Sequence, residues 1–187
     1  MVALVLAMAL PRIQSPESLN AAAAQITQRG VLTGGPGSAA NVDLSSMTPR
    51  EAADRLFLRV MRAAAANDDV ELQSFLPMAL GAYTLVEGLD SQGRFRVALL
   101  QRIGGLEQEA FATLRAGLSE DPGHLLLLGS AVEIAVSLGQ ESEARQFATR
   151  LVVDFDVERS RGLPEYEENQ AVLENLRRRA EELLALD

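Results

Sequence analysis

Residues 104–124 read GGLEQEAFATLRAGLSEDPGH, and residues 138–156 read LGQESEARQFATRLVVDFD. Shifting one against the other by 34 positions pairs Gly105 with Gly139, Glu107 with Glu141, Glu109 with Glu143 and Ala110 with Ala144. A single offset accounts for all four matches. Packing explains why these residue types recur: a glycine ends a helix in a left-handed conformation that a Cβ disfavours, and an alanine early in the next helix lets two helix axes approach closely. The pattern therefore describes a helix-turn-helix unit used twice.

Outward from this repeat, the rest of residues 48–187 also carries helical signals. Thr48-Pro49-Arg50-Glu51 supplies a hydroxyl N-cap, a proline at the first helical position and a glutamate at N3, which is a capping box with φ already set. Ala52, Ala53, Leu56, Phe57, Val60, Met61 and Ala64 then recur at three- and four-residue steps, with Glu51 and Arg55 expected to pair on the wet face. Asn67-Asp68-Asp69 recaps the chain into a second apolar segment, where Pro77 is expected to kink the helix because it lacks an N–H donor. Further helices are predicted near residues 94–103, 106–119, 123–138 and 141–161. A last one, starting at Pro164, carries Leu173, Leu176, Ala180, Leu183 and Leu184 on one stripe and the pairs Glu174/Arg178, Arg177/Glu181 and Arg178/Glu182 outside. The apolar run at residues 125–128 is short enough for a buried strand, but the segment continues helically through Ile134 and Leu138. No stretch alternates convincingly, so the expected class is all-α.

The repeat resembles the tetratricopeptide family, whose 34-residue unit places a glycine between its helices, a small residue early in helix B and a proline at the end. Gly105, Ala110, Gly117 and Pro122 stand at those spacings in the first copy; Gly139 and Ala144 recur in the second, with Asp156 where the proline would fall. The resemblance implies two tetratricopeptide-like hairpins over residues 94–156, a divergent hairpin over 49–89 and a capping helix over 164–185, stacked as an α-solenoid.

Composition narrows the chemistry. The 187-residue chain has no cysteine and one histidine, His124, and all 17 of its basic residues are arginine. Disulfides, thiolate chemistry, Cys-ligated metals, P-loop and Schiff-base lysines and multi-His zinc centres are thereby excluded. A net charge of -9 repels a phosphate backbone, so nucleic acid is not an expected partner. His124 follows Asp121-Pro122-Gly123 and reads as a surface loop residue, because no nucleophile is placed to use it as a base; Ser130 lies six positions on and faces elsewhere. The acidic sets Asp154/Asp156/Glu158 and Glu165/Glu167/Glu168 lack the spacing of a calcium loop and read as solvated helix faces. Gly34-Gly35-Pro36-Gly37 follows no strand and lacks the phosphate-binding lysine, and Arg177-Arg178-Arg179, flanked by glutamates, reads as a salt-bridged surface. No catalytic residue, cofactor or metal is expected.

Residues 1–47 form a different chemical object. Arg12 and Arg29 balance Glu17 and Asp43, so the whole net charge belongs to residues 48–187, and the Gly/Pro/Ser/Ala-rich composition reads as an extended arm that orders only when held. Residues 1–10, with Val2, Leu4, Val5, Leu6 and Leu10, span only about 15 Å as a helix, half the hydrocarbon thickness. They read as the trailing part of a signal or membrane span, as a hydrophobic peg for a partner or membrane, or as a core element; Pro11 and the linker favour a membrane- or partner-facing role. The expected function is a non-catalytic scaffold, an extrinsic accessory subunit that stabilises a membrane-associated complex, more readily periplasmic than cytoplasmic. The runs TPREAADRLF, FLPMALGAY and GLPEYEEN resemble bacterial tetratricopeptide domains that follow a hydrophobic N-terminal segment, and a narrower expectation is a subunit bracing a photosynthetic reaction centre and its antenna, although no pigment-ligand signature is present. Alternatives are a free tetratricopeptide adaptor for short peptides, which the missing lysine disfavours, and a carboxylate-only hydrolase, which needs a buried acid pair.

Overall fold

A computed structural model of the chain describes residues 47–185, and these form eight helices and no strand: α1 Pro49–Ala66, α2 Asp69–Tyr83, α3 Ser91–Ile103, α4 Glu107–Glu120, α5 Leu125–Ser137, α6 Glu141–Arg159, α7 Pro164–Glu168 and α8 Gln170–Leu184. The expected arm, with Val2, Leu4, Val5, Leu6 and Leu10, lies outside the described residues. The fold is all-α, built by packing successive helices. Contact is closest within α1–α2, α3–α4 and α5–α6, and each pair leans on the next, with α8 laid across α5 and α6.

Local chemistry sets the helix ends. The capping box at α1 is formed: the Glu51 N–H donates to Thr48 Oγ1 at 3.3 Å, and Glu51 Oε2 accepts the Thr48 N–H at 2.8 Å. That carboxylate is therefore turned toward Thr48, and the expected Glu51/Arg55 pair does not form. α1 stops at Asn67, held left-handed at φ 53°. α2 continues past Pro77 to Tyr83.

The two quoted turns have the same geometry. Gly105 and Gly139 take φ of 73° and 70°, and around each the chain makes the same pair of hydrogen bonds: Gly105 N to Arg102 O (3.0 Å) with Leu106 N to Gln101 O (2.8 Å), and Gly139 N to Val136 O (3.1 Å) with Gln140 N to Ala135 O (2.8 Å). This is the Schellman closure that a C′ glycine permits, used twice at the 34-residue offset. After α4 the chain turns at the exposed Pro122. At the equivalent place in the second copy stands Asp156 instead of a proline; it lies inside α6, which runs on to Arg159.

Two apolar clusters hold the helices together. One joins α1, α2 and Leu100 of α3; the other runs from Phe95 and Ala98 of α3 through α4, α5, α6, Tyr166 and α8. α3 is their joint, since Leu99 packs against both. α5 lies at the centre of the second cluster, with Leu125, Leu126, Leu127, Leu128, Ala131 and Ala135 all at 0 % exposure. Its first turn is leucine on every side and must be covered on every side. α4 meets it at Gly117, where a Cβ would stand 2.8 Å from Leu127 Cδ1, and α8 meets it at Gly129, where a Cβ would stand 2.9 Å from Leu176 Cβ.

The single capping helix expected over residues 164–185 is two pieces. Asn169, at φ −119° and ψ 27°, interrupts it, and its side-chain amide donates to Glu165 O at 2.8 Å. The break lets α7 turn toward the start of α5 while α8 lies along α5 and α6.

Gly129→Ala should lower stability by about 1–3 kcal/mol in urea unfolding, because Leu176 Cβ is tied to the α8 backbone and cannot step aside. Gly105→Ala meets no atom within 4 Å, and its cost should be the left-handed backbone alone, about 1–2 kcal/mol. An unchanged denaturation midpoint in either variant would show that the close approach or the backbone requirement is misassigned.

Candidate functional site

The repeat positions named from the sequence line up along the hairpins. Gly105 and Gly139 make the turns, Ala110 and Ala144 stand fully buried early in α4 and α6, Gly117 faces Leu127, and Pro122 sits exposed before α5. These residues position helices and bring no reactive side chains together.

The turn that follows Pro122 is chemically richer than its sequence suggests. His124 is not a surface loop residue: it is 0 % exposed and caps α5. Its Nδ1 accepts the Leu127 N–H at 3.4 Å, which places the ring proton on Nε2, directed at Glu165 Oε1 3.3 Å away. Tyr166, itself 2 % exposed, stacks tilted on the imidazole, and its hydroxyl accepts the Leu125 N–H at 3.0 Å. Two side chains thus satisfy two of the four orphan donors that open a helix buried too deeply for water. Glu165, expected on a solvated face, is only 13 % exposed at its side chain because α7 folds over the turn.

Charges around this cluster are shared among neighbours. Arg161 pairs with Asp121 at 3.0 Å and Glu158 at 2.8 Å, and Ser91 donates to Asp121 from the start of α3. Burial pushes the His124 pKa below its usual value; Glu165 and Asp121 oppose that, and Arg161 adds to it. Burial likewise pushes Tyr166 above the usual phenol range.

A second network joins α1, α2 and α3. Asp54 accepts from Tyr83 Oη at 2.6 Å, Arg50 at 2.9 Å and Arg96 at 2.7 Å. Burial alone would raise this carboxyl, but the three hydrogen bonds outweigh it and hold Asp54 below the usual carboxylate range. A third network is centred on Glu133, the one charged side chain in the apolar run 125–138, which accepts from Arg102 of α3 at 2.6 Å and from Arg179 of α8. That isolated charge was the available signal for Glu133, but nothing in the sequence names partners 31 and 46 residues away.

The acidic sets are drawn into similar pairs. Asp154 meets Arg150, Asp156 meets Arg177, and Glu158 meets Arg161; among the described residues no group of three His, Asp or Glu side chains could hold a metal ion. In the arginine run, Arg177 pairs with Glu181 and Asp156, Arg178 with Glu182, and Arg179 with Glu133. Glu174, expected to pair with Arg178, reaches instead to Arg159 of α6 at 2.5 Å. Among the described residues no helix is long and apolar enough to cross a membrane.

No family model, curated protein or solved structure matches this chain.

Because the native His124 pKa is lowered, the unfolded chain binds the proton first. Its contribution to stability should be fully present above the unfolded pKa of about 6.5 and be lost progressively as the pH falls below that. His124→Asn keeps an acceptor for the Leu127 N–H and should flatten this segment of the profile in urea melts between pH 7 and 5. An equal slope in both proteins would exclude His124 as its source. Tyr166→Phe leaves a buried N–H on Leu125 without its acceptor and should cost about 1–3 kcal/mol in the same assay.

Proposed function

We propose that the protein is a non-catalytic, tetratricopeptide-like scaffold that acts as an extrinsic accessory subunit of a membrane-associated assembly. The observation that carries this reading is the commitment of its reactive side chains to architecture. His124 has both ring nitrogens spent inside the protein, Asp54 is held by Arg50 of its own helix and Arg96 of α3, and Glu133 is held by Arg102 of α3 and Arg179 of α8. A carboxylate-only hydrolase needs two acids facing one cavity, with one of them raised in pKa. Asp54 is lowered instead, and Glu133 is neutralised by two guanidinium groups.

Support for a helical-repeat scaffold comes from the identical turns at Gly105 and Gly139 and from hairpins stacked in chain order. Surfaces of this kind present long helical ridges to other proteins. Support for membrane association comes from the sequence, through the apolar residues 1–10 ahead of the helical body. The photosynthetic assignment remains an expectation of the sequence.

Purification of the full chain from its native membranes in mild detergent, followed by mass spectrometry of what co-purifies, tests the proposal. A stable multi-subunit complex that loses this chain when residues 1–10 are deleted is expected. Recovery as a monodisperse monomer, with every assembly intact after the deletion, would overturn it.

A further inference from the structure

Residues 162–169 lie over the start of α5 on a single buried peg. Gly162, at φ 63°, and Asn169, at φ −119° and ψ 27°, interrupt the helical backbone on either side, between α6 and α8. Between them α7 buries one side chain, Tyr166; Pro164, Glu167 and Glu168 are exposed, and Leu163 and Glu165 are half-buried. A five-residue helix is too short to persist unsupported. The place of the segment therefore depends on what its side chains hold, which is the Leu125 N–H for Tyr166 and His124 Nε2 for Glu165.

His124 caps α5 in its neutral form only. Its Nδ1 accepts the Leu127 N–H, so a proton there sets two donors against each other, and turning the ring over does not help because both nitrogens of an imidazolium donate. The positive end of α5 also disfavours a cation at its cap. The charged and titratable groups packed around the ring decide where such an ion can go. The end of α4 sends Asp121, the end of α6 sends Glu158, whose carboxylate lies against Gly123, Arg161 follows it, and α7 sends Glu165 and Tyr166; α3 contributes Ser91, which donates to Asp121. Arg161 already holds Asp121 and Glu158. The carboxylate left to the imidazolium is Glu165, which belongs to the overlying segment. With the ring 0 % exposed beneath Tyr166, the ion reaches water by displacing that side chain.

We propose that residues 162–169 are a proton-released strap: a proton taken up from solvent at His124 Nδ1 ends the cap on α5, and the imidazolium swings out with Glu165, withdrawing Tyr166 while the helices on either side stay folded. What opens is the first turn of α5, where Leu125 and Leu127 lose their acceptors. The device is a local rearrangement of the folded protein, distinct from the loss of global stability expected in acid, and it is independent of the scaffold reading because it concerns contacts within one chain.

The chain has a single histidine, so nuclear magnetic resonance follows one imidazole signal without ambiguity. The full chain is titrated from pH 7 to pH 5, with backbone order parameters measured at each step and circular dichroism to verify that the body is folded. Order parameters of residues 165–168 should fall from about 0.85, the value of a rigid backbone, to below about 0.6, with the same midpoint as the imidazole, while α6 and α8 keep the rigid value. In His124→Asn, which keeps an acceptor for the Leu127 N–H, the strap should stay ordered throughout. If that variant does not fold, the coincidence of the two midpoints in the natural chain carries the test. A strap still ordered at pH 5, midpoints that differ, the same loosening in folded His124→Asn, or loss of order in α6 and α8 together with the strap would each overturn the proposal.

Discussion

The larger of the two apolar clusters is arranged around the need to cover α5. Its leucines at 125–128 and its alanines at 131 and 135 have no exposed surface, so neighbours must lie on every side of the first two turns of this thirteen-residue helix. At roughly 1.5–3 kcal/mol per fully buried leucine, this burial outweighs any surface ion pair in the structure. The glycines at 117 and 129 follow from the same demand, since each removes the one methyl that would keep α4 or α8 at a distance. The helix start follows as well: once water is excluded there, the first N–H groups need protein acceptors, and His124 and Tyr166 are those acceptors. A side chain with general-base chemistry has thus been spent on closing a helix.

Ion pairs carry a different kind of information. Arg50/Asp90 and Asp54/Arg96 connect α1 to α3, Arg102/Glu133 connects α3 to α5, Glu133/Arg179 connects α5 to α8, and Arg159/Glu174 connects α6 to α8. Most are partly exposed and worth about 0–1 kcal/mol each, so they specify which helix sits beside which more than they stabilise the stack. Arginine suits this role because its planar fork donates to two partners at once, as Arg50 does to Asp54 and Asp90. An arginine-only, histidine-poor composition, which first served to exclude catalytic chemistry, also matches a surface whose charges fix register.

Features governed by local chemistry were legible in the sequence. The Thr48 capping box, the glycine turns at 105 and 139 and the helical periodicity each depend on residues a few positions apart, and the structure has them where the sequence puts them. Features decided by contacts across the fold were not. His124 looked like a loop residue because the sequence shows the turn and not α7 lying over it from 41 residues away. Glu51 and Glu174 had plausible partners four residues on, but Glu51 found a backbone donor at its own helix end and Glu174 found an arginine on a neighbouring helix. Helical spacing names candidate pairs, and packing chooses among them.

Native-state hydrogen exchange tests the primacy of α5 most directly. If covering this helix organises the body, its amides should be the slowest to exchange, opening only with global unfolding, while those of α1 and α2 open earlier through sub-global fluctuations. Exchange from α5 as fast as from α1 and α2, at a free energy well below that of global unfolding, would contradict the account.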